Sequence, residues 1–173
     1  LQILSYQLNK WNSLATTALT GTDHWNIGVI KDPIQRAVEE KFNPEIEWYP
    51  YHKKDGYIAD PFSINISGQT YIFVEEFSYP EGKGKISYIE YPDGFQNGDL
   101  RTAHVEPEHL SYPYLFNHDD TVYATPEIHE SGEIRLYEVH SPVNWEFKST
   151  LINSVGGNDP TIIKHKDKWW IFY

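Results

Sequence analysis

Cysteine and methionine are both absent from the 173 residues. Without thiolates there is no disulfide framework and no sulfur-ligated metal site. That absence does not choose between the cytoplasm and an export compartment, and the cytoplasm is the expectation. Basic charge is also scarce, with 14 Lys and Arg against 25 Asp and Glu and a formal net charge of −11. A phosphate backbone is repelled by such a surface, so nucleic acid is not an expected partner. No apolar run approaches the roughly 20 residues that span a bilayer, and the N-terminus lacks the basic-then-apolar order of a signal peptide. The chain is expected to be soluble, with no membrane segment. There is no initiator methionine and the sequence stops inside the apolar run WWIFY, so its ends are expected to be cut ones.

Site signatures are missing too. No Gly-rich phosphate loop, serine elbow or Cys-His pair is present. The eight histidines show no two-ligand spacing of the zinc-helix kind, so no metal and no cofactor is expected. What the chain has in abundance is aromatic side chains, 16% of residues with 13 Tyr and 6 Trp, among β-formers spread along its whole length. That composition favours sheet over helix.

Three segments align with one another: IADPFSINISGQTYIFVEEF (58–77), LSYPYLFNHDDTVYATPEI (110–128) and GNDPTIIKHKDKWWIFY (157–173). Asp60-Pro61, Tyr112-Pro113 and Asp159-Pro160 coincide at separations of 52 and 47 residues, and Tyr71, Tyr123 and Trp169 follow 11, 11 and 10 residues later. The turns SGQ, HDD and HKD suit tight hairpins. In the first two repeats a third strand (82–91 and 132–140) and a fourth (101–106 and 145–152) follow the hairpin. Four antiparallel strands at this period are the signature of a propeller blade, and a single β-sandwich explains the strands but not the aligned X-Pro positions. The expected fold is therefore all-β: a β-propeller present as an incomplete fragment of about two and a half blades. Residues 55–173 would hold blades one, two and the start of three. Residues 1–54 form an N-terminal segment with a short helix (32–42, Asp32 as N-cap and Pro33 at its first position) between strands 25–30 and 45–50, one of which could close the ring.

Radial blades gather equivalent residues around one mouth of the channel. Asp60 and Asp159 thereby become neighbours, and close carboxylates push their pKa values apart. Tyr112 stands where the other two repeats have Asp, so a full ring of acids is excluded. Glu75 and Glu76 end the second strand of repeat one and Glu127 holds the matching place in repeat two. Glu76, Tyr112 and Glu127 are the candidate substrate contacts, although solvated strand-end acids are the commoner case. Asp-Pro is itself a common strand-opening dipeptide whose carboxylate can simply accept backbone N–H bonds. Trp25, Trp48, Tyr114, Trp169 and Trp170 could stack on sugar rings, while most aromatics at this spacing pack between blades.

IADPF at the head of one repeat and an Asp-Pro opening the third resemble the five-bladed furanosidase superfamily, the arabinanase- and invertase-like enzymes of glycoside hydrolase families 43 and 32. The resemblance implies a five-bladed ring with Asp60 as base or nucleophile and Asp159 as its electrostatic partner, the two catalytic candidates, and it leaves the general-acid Glu without a match here. WNIGVI, IADPF, IFVEEF, SYPYLF, Pro126-Glu127 and NDPT, in order over residues 25–173, are more similar to the N-terminal propeller region of glucosamine inositolphosphorylceramide transferases and related bacterial sugar-modifying proteins. Two functions follow from these likenesses. One is a glycosidase-like pocket acting on a glycoside or sugar-containing precursor. The other is a non-catalytic sugar-binding or scaffolding propeller attached to a glycosyl- or formyl-transferase domain outside the chain.

Overall fold

The computed structural model describes residues 24–38, 41–92, 94–95 and 99–173. The start of the N-terminal segment, and residues 39–40 of its expected helix, lie outside them. Twelve strands are present: β1 (Gly28–Ile30), β2 (Ile46–Trp48), β3 (Gly56–Ile66), β4 (Gln69–Ser78), β5 (Lys83–Glu90), β6 (Arg101–His104), β7 (Ser111–His118), β8 (Thr121–Glu127), β9 (Glu133–Ser141), β10 (Asn144–Asn153), β11 (Thr161–His165) and β12 (Lys168–Phe172). Among the described residues there is no α-helix, and none of the helical turns is long and apolar enough to cross a membrane. The segment expected as a helix over 32–42 forms only a 3-10 turn at Ile34–Val38, and none of its residues is buried. With no apolar face to pack, a short helix has nothing to offset its nucleation cost.

Strands β3-β4-β5-β6 make one four-stranded sheet and β7-β8-β9-β10 another, each in chain order, while β11-β12 and β1-β2 are separate two-stranded ladders. Every pairing is antiparallel. Each four-stranded sheet is thus one contiguous meander with no strand exchanged between sheets, which is the arrangement the repeat predicts. Strands β1 and β2 pair with each other, Gly28 opposite Trp48.

Each leading hairpin closes with two consecutive residues at positive φ: Ser67 and Gly68 (52° and 87°), Asp119 and Asp120 (46° and 60°), Lys166 and Asp167 (47° and 59°). Two-residue loops of this hand match the right-handed twist of the flanking strands. The same device thus sets the register of all three repeats.

The first sheet is buried on both faces. On one, Ile64, Ile66, Phe73, Ile86, Tyr88 and Ala103 interlock with Leu110, Leu115, Val122, Ala124, Tyr137 and Val139 of the second sheet and its lead-in. On the other, Ile58, Ile72, Val74 and Ile89 pack with Ile27, Tyr49 and Phe95, which anchors the N-terminal ladder. Polar clasps reinforce the first interface: the Tyr137 hydroxyl donates to Glu106 Oε1 at 2.7 Å, and the His104 ring stacks on Trp145 at 5.0 Å. Phe73 is fully buried at that interface and meets the rings of Tyr71, Tyr88 and Trp145 at tilted angles. Phe73→Ala is expected to lower unfolding free energy by about 3–5 kcal/mol, the usual cost of an aromatic cavity, read by chemical denaturation.

Candidate functional site

The site begins with a backbone irregularity. In the first hairpin Ala59 pairs with Glu75 and Phe62 with Phe73, so Asp60 and Pro61 together stand opposite Val74 alone. In the second, Ser111 pairs with Glu127 and Tyr114 with Thr125, so Tyr112 and Pro113 stand opposite Pro126. Both are bulges at the same repeat position. Asp60, Tyr112 and Asp159 all adopt the left-handed conformation, with φ of 50°, 42° and 48°. A bulky L-residue such as Tyr rarely sits there. A bulge bends the strand and re-aims a side chain, and here it turns Asp60 and Tyr112 away from the regular alternation, while Asp159 takes the same backbone hand just ahead of β11.

Each bulge is tied to its neighbour by a carboxylate. Asp60 Oδ2 accepts the Tyr112 N–H at 3.2 Å, and Glu127 Oε2 accepts the Asp159 N–H at 2.7 Å. The Tyr112 hydroxyl shares a hydrogen with Thr161 Oγ1 at 2.9 Å, and the Tyr114 hydroxyl donates to the Ile162 carbonyl at 2.7 Å. The structure therefore brings Asp60, Tyr112, Glu127 and Asp159 together, as their repeat positions predict. It also gives Asp60 and Glu127 the backbone-accepting role that an acid at a strand opening can have.

Glu76 is not part of this group. It lies on the opposite face of β4, where Lys53 bonds its Oε1, and Ser87 Oγ donates to its Oε2 at 2.7 Å with Lys85 at 3.5 Å. Burial alone would raise this carboxyl, but the hydrogen bonds from Lys53 and Ser87 and the charges of the two lysines hold it below the usual carboxylate range. Its neighbour Glu75 is the counterpart of Glu127 in register and faces the second sheet. Alternation along a strand puts adjacent residues on opposite faces, so only one of the two acids can join the group.

Glu75 is 5% exposed, and its contacts are long: the Tyr57 hydroxyl at 3.4 Å and His109 Nε2 at 3.5 Å, both on Oε1. His109 Nδ1 accepts the Gly84 N–H at 2.8 Å, so the neutral ring carries its proton on Nε2, towards Glu75. Only glycine fits at 84, because a Cβ there would stand 2.5 Å from the Leu110 carbonyl oxygen and 2.9 Å from Glu75 Oε1. Burial first, then the charges of Asp60 and Glu127, push the Glu75 carboxyl up to about 7, with the Tyr57 hydroxyl pulling against them. Asp60 is raised as well, by burial and more weakly by Asp159, against the Tyr112 N–H and His109. Among the described residues no three His, Asp or Glu side chains converge as metal ligands.

An open cavity of about 610 Å³ adjoins these acids. Asp60, Glu75 and Tyr57 line it together with Trp25, which precedes β1, and Trp48 of β2. The two indoles are 60% and 57% exposed. Tyr114 packs against Phe62, the ordinary fate of aromatics at this spacing, and Trp169, itself 44% exposed, contacts Phe116. His109 and Tyr57 carry no sequence signal of a site role. Glu75 could have been found by applying the 52-residue offset that relates Asp60 to Tyr112 strictly to Glu127.

Fold and site define an all-β domain of repeated antiparallel meanders with an acidic, tryptophan-walled cavity. Residues 50–173 match the family described as "Glucosamine inositolphosphorylceramide transferase 1, N-terminal", and the chain belongs to that family. The Arabidopsis thaliana glucosamine inositolphosphorylceramide transferase 1 is 32% identical over 118 residues, 66% of this chain and 15% of that protein. The proteins of the same name from the indica and japonica subspecies of Oryza sativa are 28% identical over 143 residues, 81% of this chain and 18% of theirs. The chain therefore spans less than a fifth of the length of these curated relatives.

The Glu75 carboxyl makes stability depend on pH. Its folded value, about 7, lies above the ordinary 4.5, so the folded state keeps a proton that the unfolded chain releases near 4.5. The stabilisation is fully present below about 4.5 and is lost as pH rises through about 7. Glu75→Gln, neutral throughout, is expected to be the more stable protein above pH 7 by on the order of 2 kcal/mol. Below about pH 4.5 the two should converge, as thermal unfolding across that range will show.

Proposed function

We propose that this chain is part of a β-propeller that holds the sugar portion of a substrate for a transferase elsewhere in the same protein. The observation that carries the reading is the cavity lined by two exposed indoles and two carboxylates. Indole faces stack on the apolar faces of sugar rings while carboxylates accept their hydroxyls, a combination common to carbohydrate sites. The relatives support the setting, since their matched part is the N-terminal stretch of proteins named as transferases. Their name further suggests that the sugar belongs to a glycolipid headgroup of the inositolphosphorylceramide kind.

Two contiguous four-stranded meanders, each bulged at its X-Pro, and a third leading hairpin with the same left-handed residue before its proline support reading the sheets as propeller blades. On that reading residues 55–173 supply blades one, two and the start of three, and the bulges line the mouth of a channel. Five blades in total and a furanosidase-like mechanism follow from the motif resemblance alone. For hydrolysis Asp60 would serve as base or nucleophile beside Asp159. The family membership favours holding over hydrolysis, and so does the use of Asp60 as an acceptor for the Tyr112 N–H.

The intact protein is tested with a panel of methyl glycosides by titration calorimetry. Trp48→Ala, and Trp25→Ala in parallel, is expected to weaken binding at least about tenfold, in line with the loss of a stacking platform. Asp60→Asn should weaken binding, and release of free sugar from glycosides should be undetectable before and after the change. Asp60-dependent hydrolysis would return the glycosidase reading, and binding untouched by either tryptophan change would remove the cavity from the site.

A further inference from the structure

The two glutamates at the end of β4 differ in what their oxygens still have to offer. Both oxygens of Glu76 are engaged, Oε1 by Lys53 and Oε2 by Lys85 and Ser87. Glu75 has both of its contacts on one oxygen. The Tyr57 hydroxyl and the Nε2–H of His109 reach Oε1, and both are donors. Oε1 is therefore the accepting oxygen, and a proton on this carboxyl group belongs on Oε2. Among the described residues Oε2 has no hydrogen-bond partner, yet the side-chain atoms sealed from solvent without one are Tyr51 Oη and Glu108 Oε2 alone. Glu75 Oε2 is thus reachable, and the cavity that Glu75 lines is where it is reached from.

What surrounds the group favours that proton. Facing it are Tyr57 and Asp60 from β3, His109 from the lead-in to β7 and Glu127 from β8, while the residues of the N-terminal ladder and its lead-in that line the cavity carry no charge. A carboxylate only 5% exposed, with two acids beside it and no lysine or arginine, is disfavoured twice over, by burial and by repulsion. Asp60 is placed differently, because its Oδ2 accepts the Tyr112 N–H at 3.2 Å, a bond that favours the charged form. Two neighbouring carboxyl groups in unlike surroundings divide the roles, one keeping the proton and the other the charge.

We propose that Glu75 meets the sugar as a neutral carboxylic acid whose Oε2–H donates to an acceptor oxygen of the ligand, while Asp60 accepts from a sugar hydroxyl. The assignment rests on the sugar-holding reading and adds to it the donor that sets how the ring sits. A ring or glycosidic oxygen can only accept, so one donor beside one acceptor fixes which edge of the sugar faces which acid. The same arrangement makes holding depend on pH. Loss of the Oε2 proton turns the donor into a second charge beside Asp60 that repels the acceptor oxygen, so the sugar is held on the acid side of about 7 and released as pH rises through it.

Titration calorimetry of the intact protein with methyl β-glucoside, methyl β-galactoside and methyl β-mannoside, each from mildly acid to mildly alkaline pH, tests the donor. The tightest binder is expected to show level affinity on the acid side and to lose up to about tenfold for each pH unit once Glu75 ionises. Glu75→Gln keeps an N–H to donate at every pH, so its profile should be level, somewhat weaker than the unsubstituted protein on the acid side and at least about tenfold tighter on the alkaline side. Asp60→Asn removes a charge that favours the protonated form, so besides weakening binding it should start the fall at lower pH. A level profile in the unsubstituted protein, or affinity that rises with pH, overturns the donor assignment and leaves the sugar-holding reading in place where Trp48→Ala still weakens binding. A fall that survives Glu75→Gln overturns it as well, and so does loss of binding at every pH in a folded Glu75→Gln protein. Binding of none of these glycosides, or binding indifferent to Trp48→Ala, overturns both readings. Should Glu75→Gln fail to fold, nuclear magnetic resonance of isotope-labelled glutamate provides the second measurement. The Glu75 carboxyl resonance should titrate at higher pH in the sugar-saturated protein than in the free one, and an unmoved or lowered midpoint overturns the donor.

Discussion

Everything at this site hangs on the left-handed X-Pro bulge and on the carboxylate that fastens it to the neighbouring repeat. A non-glycine residue held at φ near 50° costs on the order of 1–3 kcal/mol and persists only where its surroundings enforce it. Here the enforcement is visible. The proline that follows fixes the chain direction, and an acid takes the N–H of the left-handed residue: Asp60 for Tyr112 and Glu127 for Asp159. The two acids do not come from the same strand position, since one is itself a bulge residue and the other lies on β8. Asymmetry of that sort is why three similar repeats build a cluster of unlike groups instead of a uniform ring.

Charge follows from that geometry. Burial first, and then the charges of neighbouring acids, raise Asp60 and Glu75, while on the other face of β4 the hydrogen bonds from Lys53 and Ser87 and the charges of the lysines outweigh burial and lower Glu76. Because both glutamates are buried to a similar degree, burial cannot account for the difference. What separates them is which face of β4 each occupies, and therefore whether Lys53 and Lys85 or Asp60 and Glu127 are its company. The face, in turn, is set by the packing of Ile72 and Val74 against the N-terminal ladder and of Phe73 against the second sheet.

Much of this was legible in the sequence. The X-Pro positions and the hairpin turns carry local chemistry, a fixed φ at proline and two consecutive positive φ at the loops, so their alignment predicted the meanders and the equivalence of Asp60, Tyr112 and Asp159. Glu75 was harder, because the pair EE is silent about facing and the bulge in the adjoining strand, opposite Val74, shifts the parity of β3 against β4. His109 was out of reach. Its ring acts on Glu75 only because the Leu110 N–H bonds the Gly84 carbonyl and folds the lead-in of β7 back over β5. The expected helix failed for the converse reason: DPIQRAVEEKF has helix-start chemistry, but Ile34 and Val38 find no surface to bury against.

Tyr112 shows how the repeat was adapted. An aspartate at this position would have stood between two others that already repel, and the shared electrostatic cost would have grown with a third charge. Tyrosine keeps the left-handed backbone and the N–H that Asp60 accepts, but its ring packs edge-on against Phe62 at 4.9 Å and its hydroxyl reaches across to Thr161. The second repeat thereby exchanges a charge for a brace that spans from the first hairpin to the third. On one side of that brace the Asp60 carboxylate is fixed by the Tyr112 N–H, and on the other the Asp159 backbone is fixed by Glu127. A site whose acceptors are fixed before a ligand arrives loses little entropy on binding, which is the property that the proposed sugar-holding role would call for.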